Sequence, residues 1–138
     1  MEIIKLLGNF LKSELLNDLF ESYDVDVIYE YDRLNENAPD SYSASIDSLG
    51  LEFSFDSEQV LKTIFIQNRA HVNGVKIFHS VEDAKSFSNN NSLSFEQGTS
   101  KFLGNEREWV KVFFTGHSIH YEFQNATLQL IALEHGGA

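Results

Sequence analysis

The fold is decided by residues 51–67, which read LEFSFDSEQVLKTIFIQ. In the first five of these residues apolar side chains alternate with polar ones, and a second apolar run extends from Val60 to Ile66 after a short polar segment. An alternation with a period of two places the apolar side chains on one face of a β-strand. Two such runs joined by a few polar residues predict a β-hairpin with one buried face.

The residues before this hairpin predict one helix, one strand and one loop. Leucine and phenylalanine side chains between Ser13 and Ser22 recur at spacings of three and four, and Ser13 is a suitable N-cap, which together predict an amphipathic helix. From Asp24 to Asp32, valine and tyrosine alternate imperfectly with acidic side chains, a pattern that favours a half-buried strand with an acidic face. The segment 33–43 holds the only proline and several Asn, Asp and Ser residues, which is typical of an exposed loop.

After the hairpin, weaker signals are followed by three clear strands. The expected elements are a short strand at Val75–Phe78, a short helix beginning at Ser80, a loop at Ser86–Ser92, a brief helix at Thr99–Leu103, and strands at Trp109–Phe114, Ile119–Phe123 and Thr127–Leu133. The whole pattern predicts an α+β fold, a mainly antiparallel sheet of at least five strands with an N-terminal helix and one or two short helices packed on it. The predicted core comprises Leu16, Leu19, Phe20, Leu51, Phe53, Phe55, Ile64, Ile66, Trp109, Val112, Tyr121, Phe123, Leu128 and Leu130.

The length of 138 residues corresponds to one domain, residues 1–138, that can bury a core without disulfides or metals. Two short stretches recur within it. Residues 6–9 resemble residues 102–105, and the hairpin start at 50–55 resembles residues 118–123. These internal similarities raise the alternative that the chain consists of two diverged αβ units, 1–67 and 99–133.

The formal net charge of −11 is concentrated at one end of the chain. Residues 1–58 contain fourteen of the 21 acidic residues but only three of the ten lysines and arginines, whereas the remainder is neutral. Such a field repels nucleic acid and anionic membranes and attracts a basic partner. The simpler explanation, that the charge serves only solubility, stays open.

Known catalytic and metal-binding patterns are missing from the sequence. Without cysteine there is no thiolate zinc site, disulfide or cysteine nucleophile, and neither a nucleophile elbow nor a phosphate-binding glycine loop occurs. His117 and His120 form a His-x-x-His pair, but on a strand this spacing directs the two rings to opposite faces. A calcium loop starting at Asp24 fails because its sixth residue is Tyr29 and its twelfth is Asn35. We therefore expect no enzymatic activity, no metal and no organic cofactor.

The same sequence argues against nucleic-acid and membrane partners. The basic residues are dispersed singly rather than clustered with aromatic ones, so we expect no nucleic-acid binding. The apolar runs are too short to span a membrane, and the N-terminal residues lack the features of a signal peptide. A cytoplasmic location is the expectation that follows.

A partner-binding site is predicted in the acidic segment, where tyrosines lie among carboxylates. Carboxylates supply charge and tyrosines supply rigid contact area, a combination suited to binding a surface rich in lysine and arginine. The alternative is that these tyrosines only cover a sheet edge. The predicted site residues are Asp24, Asp26, Tyr29, Glu30, Tyr31, Asp32, Glu36 and Asp40.

The order of these features resembles a known group of proteins. Leu7-Gly8 precedes a short helix and an acidic segment, then come residues 50–55, the strand 61–66, Leu103-Gly104 and a closing hairpin. This succession resembles small bacterial immunity proteins of polymorphic-toxin and contact-dependent growth inhibition systems. The resemblance implies a cytoplasmic protein that binds the C-terminal toxin domain of a cognate effector, usually a nuclease, and covers its active site.

A second function remains open from the sequence. The chain would then be a non-catalytic acidic adaptor, or a structural or ligand-binding domain, of a bacterial secretion or phage system that uses a hydrophobic groove beside the sheet.

Overall fold

The computed structural model describes residues 2–30, 41–67 and 74–136, with the side chains of 28–30 left out. The predicted α+β class is confirmed, since the described residues form one antiparallel sheet and two α-helices. Short 3-10 turns lie at Ile3–Leu6 and Asp47–Leu49. The helices are α1 (Glu14–Glu21) and α2 (Val81–Asn90), and the strands are β1 (Asp26–Glu30), β2 (Ser41–Ile46), β3 (Leu51–Phe55), β4 (Leu61–Gln67), β5 (Phe95–Phe102), β6 (Asn105–Phe113), β7 (His117–Gln124) and β8 (Thr127–His135).

The eight strands follow the order β1-β2-β3-β4-β8-β7-β6-β5. Each group of four consecutive strands forms a meander, and the two meanders join through the antiparallel pair β4 and β8, with Phe65 opposite Ala132. One helix precedes each meander along the chain. The stretches 50–55 and 118–123 fall on β3 and β7, the third strand of each meander, whereas 6–9 and 102–105 occupy unlike positions. An origin of the chain in two units stays a prediction.

The hairpin predicted from residues 51–67 is present as β3 and β4. Asp56 organises its turn, because one carboxylate oxygen of Asp56 accepts hydrogen bonds from the backbone N–H groups of Glu58 (2.9 Å) and Val60 (3.0 Å). A bulge follows, since Ser54 pairs with Thr63 while Phe55 pairs with Leu61. A side chain that satisfies two turn amides holds the register of the strands on either side.

Both helices begin at a serine cap and cover the same face of the sheet. The Ser13 hydroxyl accepts a hydrogen bond from the N–H of Leu16, and the Ser80 hydroxyl accepts one from Asp83. Phe20 of α1 meets Phe53 of β3 edge to ring, with centroids 5.4 Å apart. On the α2 side, Phe78 contacts Phe87 and Tyr121, which lies on β7. None of the described elements packs on the opposite face of the sheet, which we call the open face.

The core lies between the helices and the sheet. Most of the predicted core is buried there, including Leu16, Phe53 and Tyr121, and Leu19, Phe20 and Leu128 pack at its margin. Trp109 and Leu130 were predicted wrongly, because both lie on the open face. Val110 and Val112 point into the core from β6. Trp109 directly precedes Val110 on this unbroken strand, so its side chain points to the opposite face.

Four local predictions were wrong. Residues 99–103 belong to strand β5 and its turn rather than to a helix, and residues 75–78 form no strand. The loop expected at 86–92 is helical through Asn90, and the loop expected up to Ser43 gives way to β2 at Ser41. β5 is an edge strand whose eight residues pair with β6, so strand pairing overrides a local sequence with little apolar alternation.

Candidate partner-binding surfaces

The predicted site residues are only partly within the described structure. Asp24 and Asp26 are exposed, and Asp26 begins β1, which forms one edge of the sheet. The backbones of Tyr29 and Glu30 belong to β1, but their side chains lie outside the described part. Tyr31, Asp32, Glu36 and Asp40 lie entirely outside the described residues.

Three acidic residues that precede Asp24 in the chain were not among the predicted site residues. Glu14, Asp18 and Glu21 recur at spacings of four and three, which places them on one side of α1, and all three are exposed. Together with Asp24 and Asp26 we call them the acidic strip. Within the described ranges none of the five carboxylates forms an ion pair. Their side chains are therefore open to solvent, and among the five only Glu14, in the first turn of α1, is placed to stabilise a helix.

Along the chain, exposed apolar side chains alternate with the residues of the acidic strip. Leu15 is 40% exposed, Tyr23 41% and Val27 53%. Protein interfaces combine desolvated apolar or aromatic anchors with a polar rim, and this surface offers both. The helical period of α1 could have identified the strip from sequence, because Leu16 marks the buried side of the helix.

Asp26 also connects the acidic strip to the open face. Strand pairing aligns one residue from each strand in a row across that face: Asp26, Ser45, Glu52, Phe65, Ala132, His120, Lys111 and Glu96. The residues of this row on β1, β2 and β3 are polar. On β6 and β7, charged and aromatic side chains lie next to the row. The strip and the open face thus meet at one edge of the sheet.

A charged network occupies the open face at β6 and β7. Arg107 donates from Nη1 to Glu122 (3.1 Å) and from Nε to Gln124 (3.2 Å), and His120 Nε2 lies 3.0 Å from the other oxygen of Glu122. Burial acts to raise the pKa of Glu122, but the hydrogen bonds from His120 and Arg107 outweigh it and hold this pKa below its usual value. On the same face, Lys111 pairs with Glu134.

An aromatic stack adjoins this network. The Trp109 indole stacks on the His120 ring with centroids 5.3 Å apart, and the opposite residue on β5 is Gly98. A Cβ atom at Gly98 would come within 2.7 Å of Trp109 Cζ2. Only glycine lets the indole lie this close to the strand.

A depression of about 490 Å³ lies beside the network on the open face. Its lining residues are Glu52, Phe65, Gln67, Phe102, Arg107, Gln129 and Leu130. Four strands separate Glu52 on β3 from Phe102 on β5, so the sheet must curl for both to line one depression. Gln129 is the extra residue of a bulge in β8, which explains how it and Leu130 both reach the depression.

The depression is of the size that binding sites have, roughly 300–1,000 Å³. Sequence reasoning missed it because its residues are scattered over five strands. The signal that could have indicated it is the set of residues on the face of each strand opposite the core, such as Glu52 between Leu51 and Phe53.

Comparisons of the chain with protein-family models, with curated proteins and with solved structures found no match. Over the described ranges, no helix has the length and apolar character needed to cross a membrane. Nor do three or more His, Asp or Glu side chains of those ranges gather into a set that could hold a metal ion.

Proposed function

We propose that this chain is an immunity protein that binds a cognate toxin domain, a nuclease, and neutralises it by covering its basic active-site surface. The observation that carries the proposal is the acidic strip, whose five carboxylates are exposed and form no ion pair within the described residues. Three apolar or aromatic residues near them in the sequence, Leu15, Tyr23 and Val27, are exposed as well. The chain acts by binding and catalyses no reaction.

The chemistry of a nuclease explains why such a surface suits it. A nuclease holds phosphates with lysine and arginine, so its active site carries a concentrated positive field. Carboxylates arranged on an inhibitor interact with that field at a distance and raise the rate of encounter. Apolar and tyrosine side chains then supply the contact area that slows dissociation.

A second candidate function is supported by the depression on the open face. In this alternative the chain is a non-catalytic acidic adaptor or ligand-binding domain of a bacterial secretion or phage system. The depression has apolar lining from Phe65 and Leu130 and polar groups from Glu52 and Gln67. It would then hold a small ligand instead of part of a toxin.

Charge reversal of the acidic strip tests the proposed function. The test variant carries Asp18→Lys, Glu21→Lys and Asp24→Lys, and the control carries Glu58→Lys, Glu106→Lys and Glu108→Lys. Each variant replaces three acidic residues by lysine, so both change the net charge equally. All six carboxylates are exposed and form no ion pair with a described residue, so both variants should fold. The partner to be tested is the C-terminal toxin domain of an effector encoded by a neighbouring gene, and the assays are association kinetics and growth of cells that express that domain.

We expect the strip variant to associate about tenfold or more slowly than the control at low salt. The difference should shrink near 1 M salt, where the screening length falls to about 3 Å. Cells carrying the strip variant should lose protection while cells carrying the control keep it. Equal association rates and full protection with both variants would refute a role for the strip, and absence of any complex with the wild-type chain would refute the immunity function.

A further inference from the structure

We infer that the depression on the open face receives a cationic side chain, an arginine or lysine, from an extended segment of the protein partner. The inference rests on the proposed function, because it specifies which part of a basic partner enters this site. The acidic strip would guide encounter, and the depression would hold one residue of the partner in the formed complex.

The arrangement of Glu52 and its neighbours suits a long cationic side chain. Glu52 and Phe65 are directly opposite each other on β3 and β4, and Gln67 is opposite Leu130 on β4 and β8. Glu52 is exposed and has no ion pair with any described residue. Arginine and lysine combine an aliphatic stem with a charged head. The stem would lie along Phe65 and Leu130, and the head would reach the Glu52 carboxylate.

The charges on this face select a cation over an anion. Arg107 is the only cationic residue lining the depression within the described structure, and its guanidinium is already bound by Glu122 and Gln124. The same guanidinium lies 4.2 Å from the centroid of the Phe102 ring, which fixes its position further. An anionic ligand would have to displace these contacts, whereas the Glu52 carboxylate has no ion pair with a described residue and can accept a cation.

The wider open face has the same bias. Arg107 and Lys111 each pair with a carboxylate on this face, while Asp26, Glu52 and Glu96 have no cationic partner among the described residues. The uncompensated charge is therefore negative, which is complementary to a basic segment. The amides of Gln67 and Gln129 at the rim can donate to and accept from the backbone of such a segment.

The first experiment titrates the isotope-labelled full chain with acetyl-arginine amide and follows backbone amide chemical shifts. Its uncharged counterpart, acetyl-citrulline amide, has nearly the same shape and serves as the ligand control. We expect shifts at residues 52, 65, 67, 129 and 130 with the arginine compound and much smaller ones with citrulline. The variant Glu52→Gln should weaken binding about fivefold or more, and the matched variant Glu58→Gln should bind as the wild type does.

The second experiment measures the complex with the toxin domain. Glu52→Gln should speed dissociation about tenfold or more with little effect on association, the reverse of the acidic-strip variant. If the toxin binds but Glu52→Gln dissociates at the wild-type rate, the inference is wrong and the proposed function stands. If the arginine compound binds at Glu52 but no toxin complex forms, the proposed function fails while the cation site stands. Shifts confined to α1 and β1, or no shifts at all, would overturn the inference.

Discussion

The substitution Glu122→Gln tests whether the charged network stabilises the open face. Glu122 is central to it, since one of its oxygens accepts from Arg107 at 3.1 Å and the other lies 3.0 Å from His120. The side chains of Arg107 and Glu122 are only 12% and 18% exposed. Glutamine keeps the shape but removes the charge, so the Arg107 guanidinium, which also donates to Gln124, loses its carboxylate partner among the described residues.

The expected loss at pH 7 is about 2 kcal/mol in the free energy of unfolding. A hydrogen bond to a charged group contributes about 1.5–3 kcal/mol. Glu122 makes two such contacts, and the glutamine amide oxygen can still accept one of them. For a domain of this size, 2 kcal/mol corresponds to a fall of roughly 6–10 °C in the melting temperature.

The pH dependence gives the sharper test. The pKa of Glu122 is lower in the folded protein than in the unfolded chain, where it is about 4.3. Its stabilisation is therefore fully present above about pH 4.3 and is lost as the pH falls through the folded-state pKa. The stability difference between wild type and Glu122→Gln should be largest near neutrality and should narrow below about pH 4.

Urea denaturation of both proteins between pH 7 and pH 3.5 measures this difference. The control is Glu106→Gln on neighbouring β6, where the carboxylate is exposed and lacks an ion pair to the described residues, and it should change stability by less than about 0.5 kcal/mol. A gap for Glu122→Gln that is the same at pH 7 and pH 3.5, or that matches the control, would show that the charge of Glu122 contributes no net stability.

Two further substitutions test the aromatic stack and one hairpin turn. Gly98→Ala should destabilise the fold by about 1–2 kcal/mol, because its Cβ would lie 2.7 Å from Trp109 Cζ2, and the same change in a Trp109→Val background should be neutral or stabilising in urea denaturation. An equal cost in both backgrounds would mean that the indole is not the obstacle. Leu103 and Gly104 form the two-residue turn between β5 and β6. Leu103 is 86% exposed and has a φ of 51°, a conformation that favours asparagine. Leu103→Asn should therefore raise the free energy of unfolding by about 0.5–1 kcal/mol. A lower melting temperature for this variant would contradict that account.

Mutations can separate the two proposed contacts, the acidic strip and Glu52, because we expect them to affect different rate constants of binding. Exposed charges of the acidic strip act over a distance that salt limits, so we expect them to affect association. Glu52 lies beside apolar lining residues, where contacts would form only in the docked complex, so we expect it to affect dissociation.

The sequence alone determined the elements with strong local signals. The alternation in residues 51–67 predicted β3 and β4, and the apolar spacing after Ser13 predicted α1 with its cap. These predictions succeeded because period and capping depend on neighbours a few residues away. The excess of acidic residues in 1–58 was equally visible, since charge is a property of composition.

Only the tertiary structure decided which side chains meet. Residues 95–102 become strand because β6 supplies eight partners across the pair, a contact that no local pattern records. Trp109 leaves the core because Val110 and Val112 take the helix side of β6. The depression unites Glu52 with Leu130 and Arg107 only because β4 pairs with β8 and the sheet curls. Whether a carboxylate is paired or free depends on such long-range contacts, and the depression on the open face therefore became visible only in the fold.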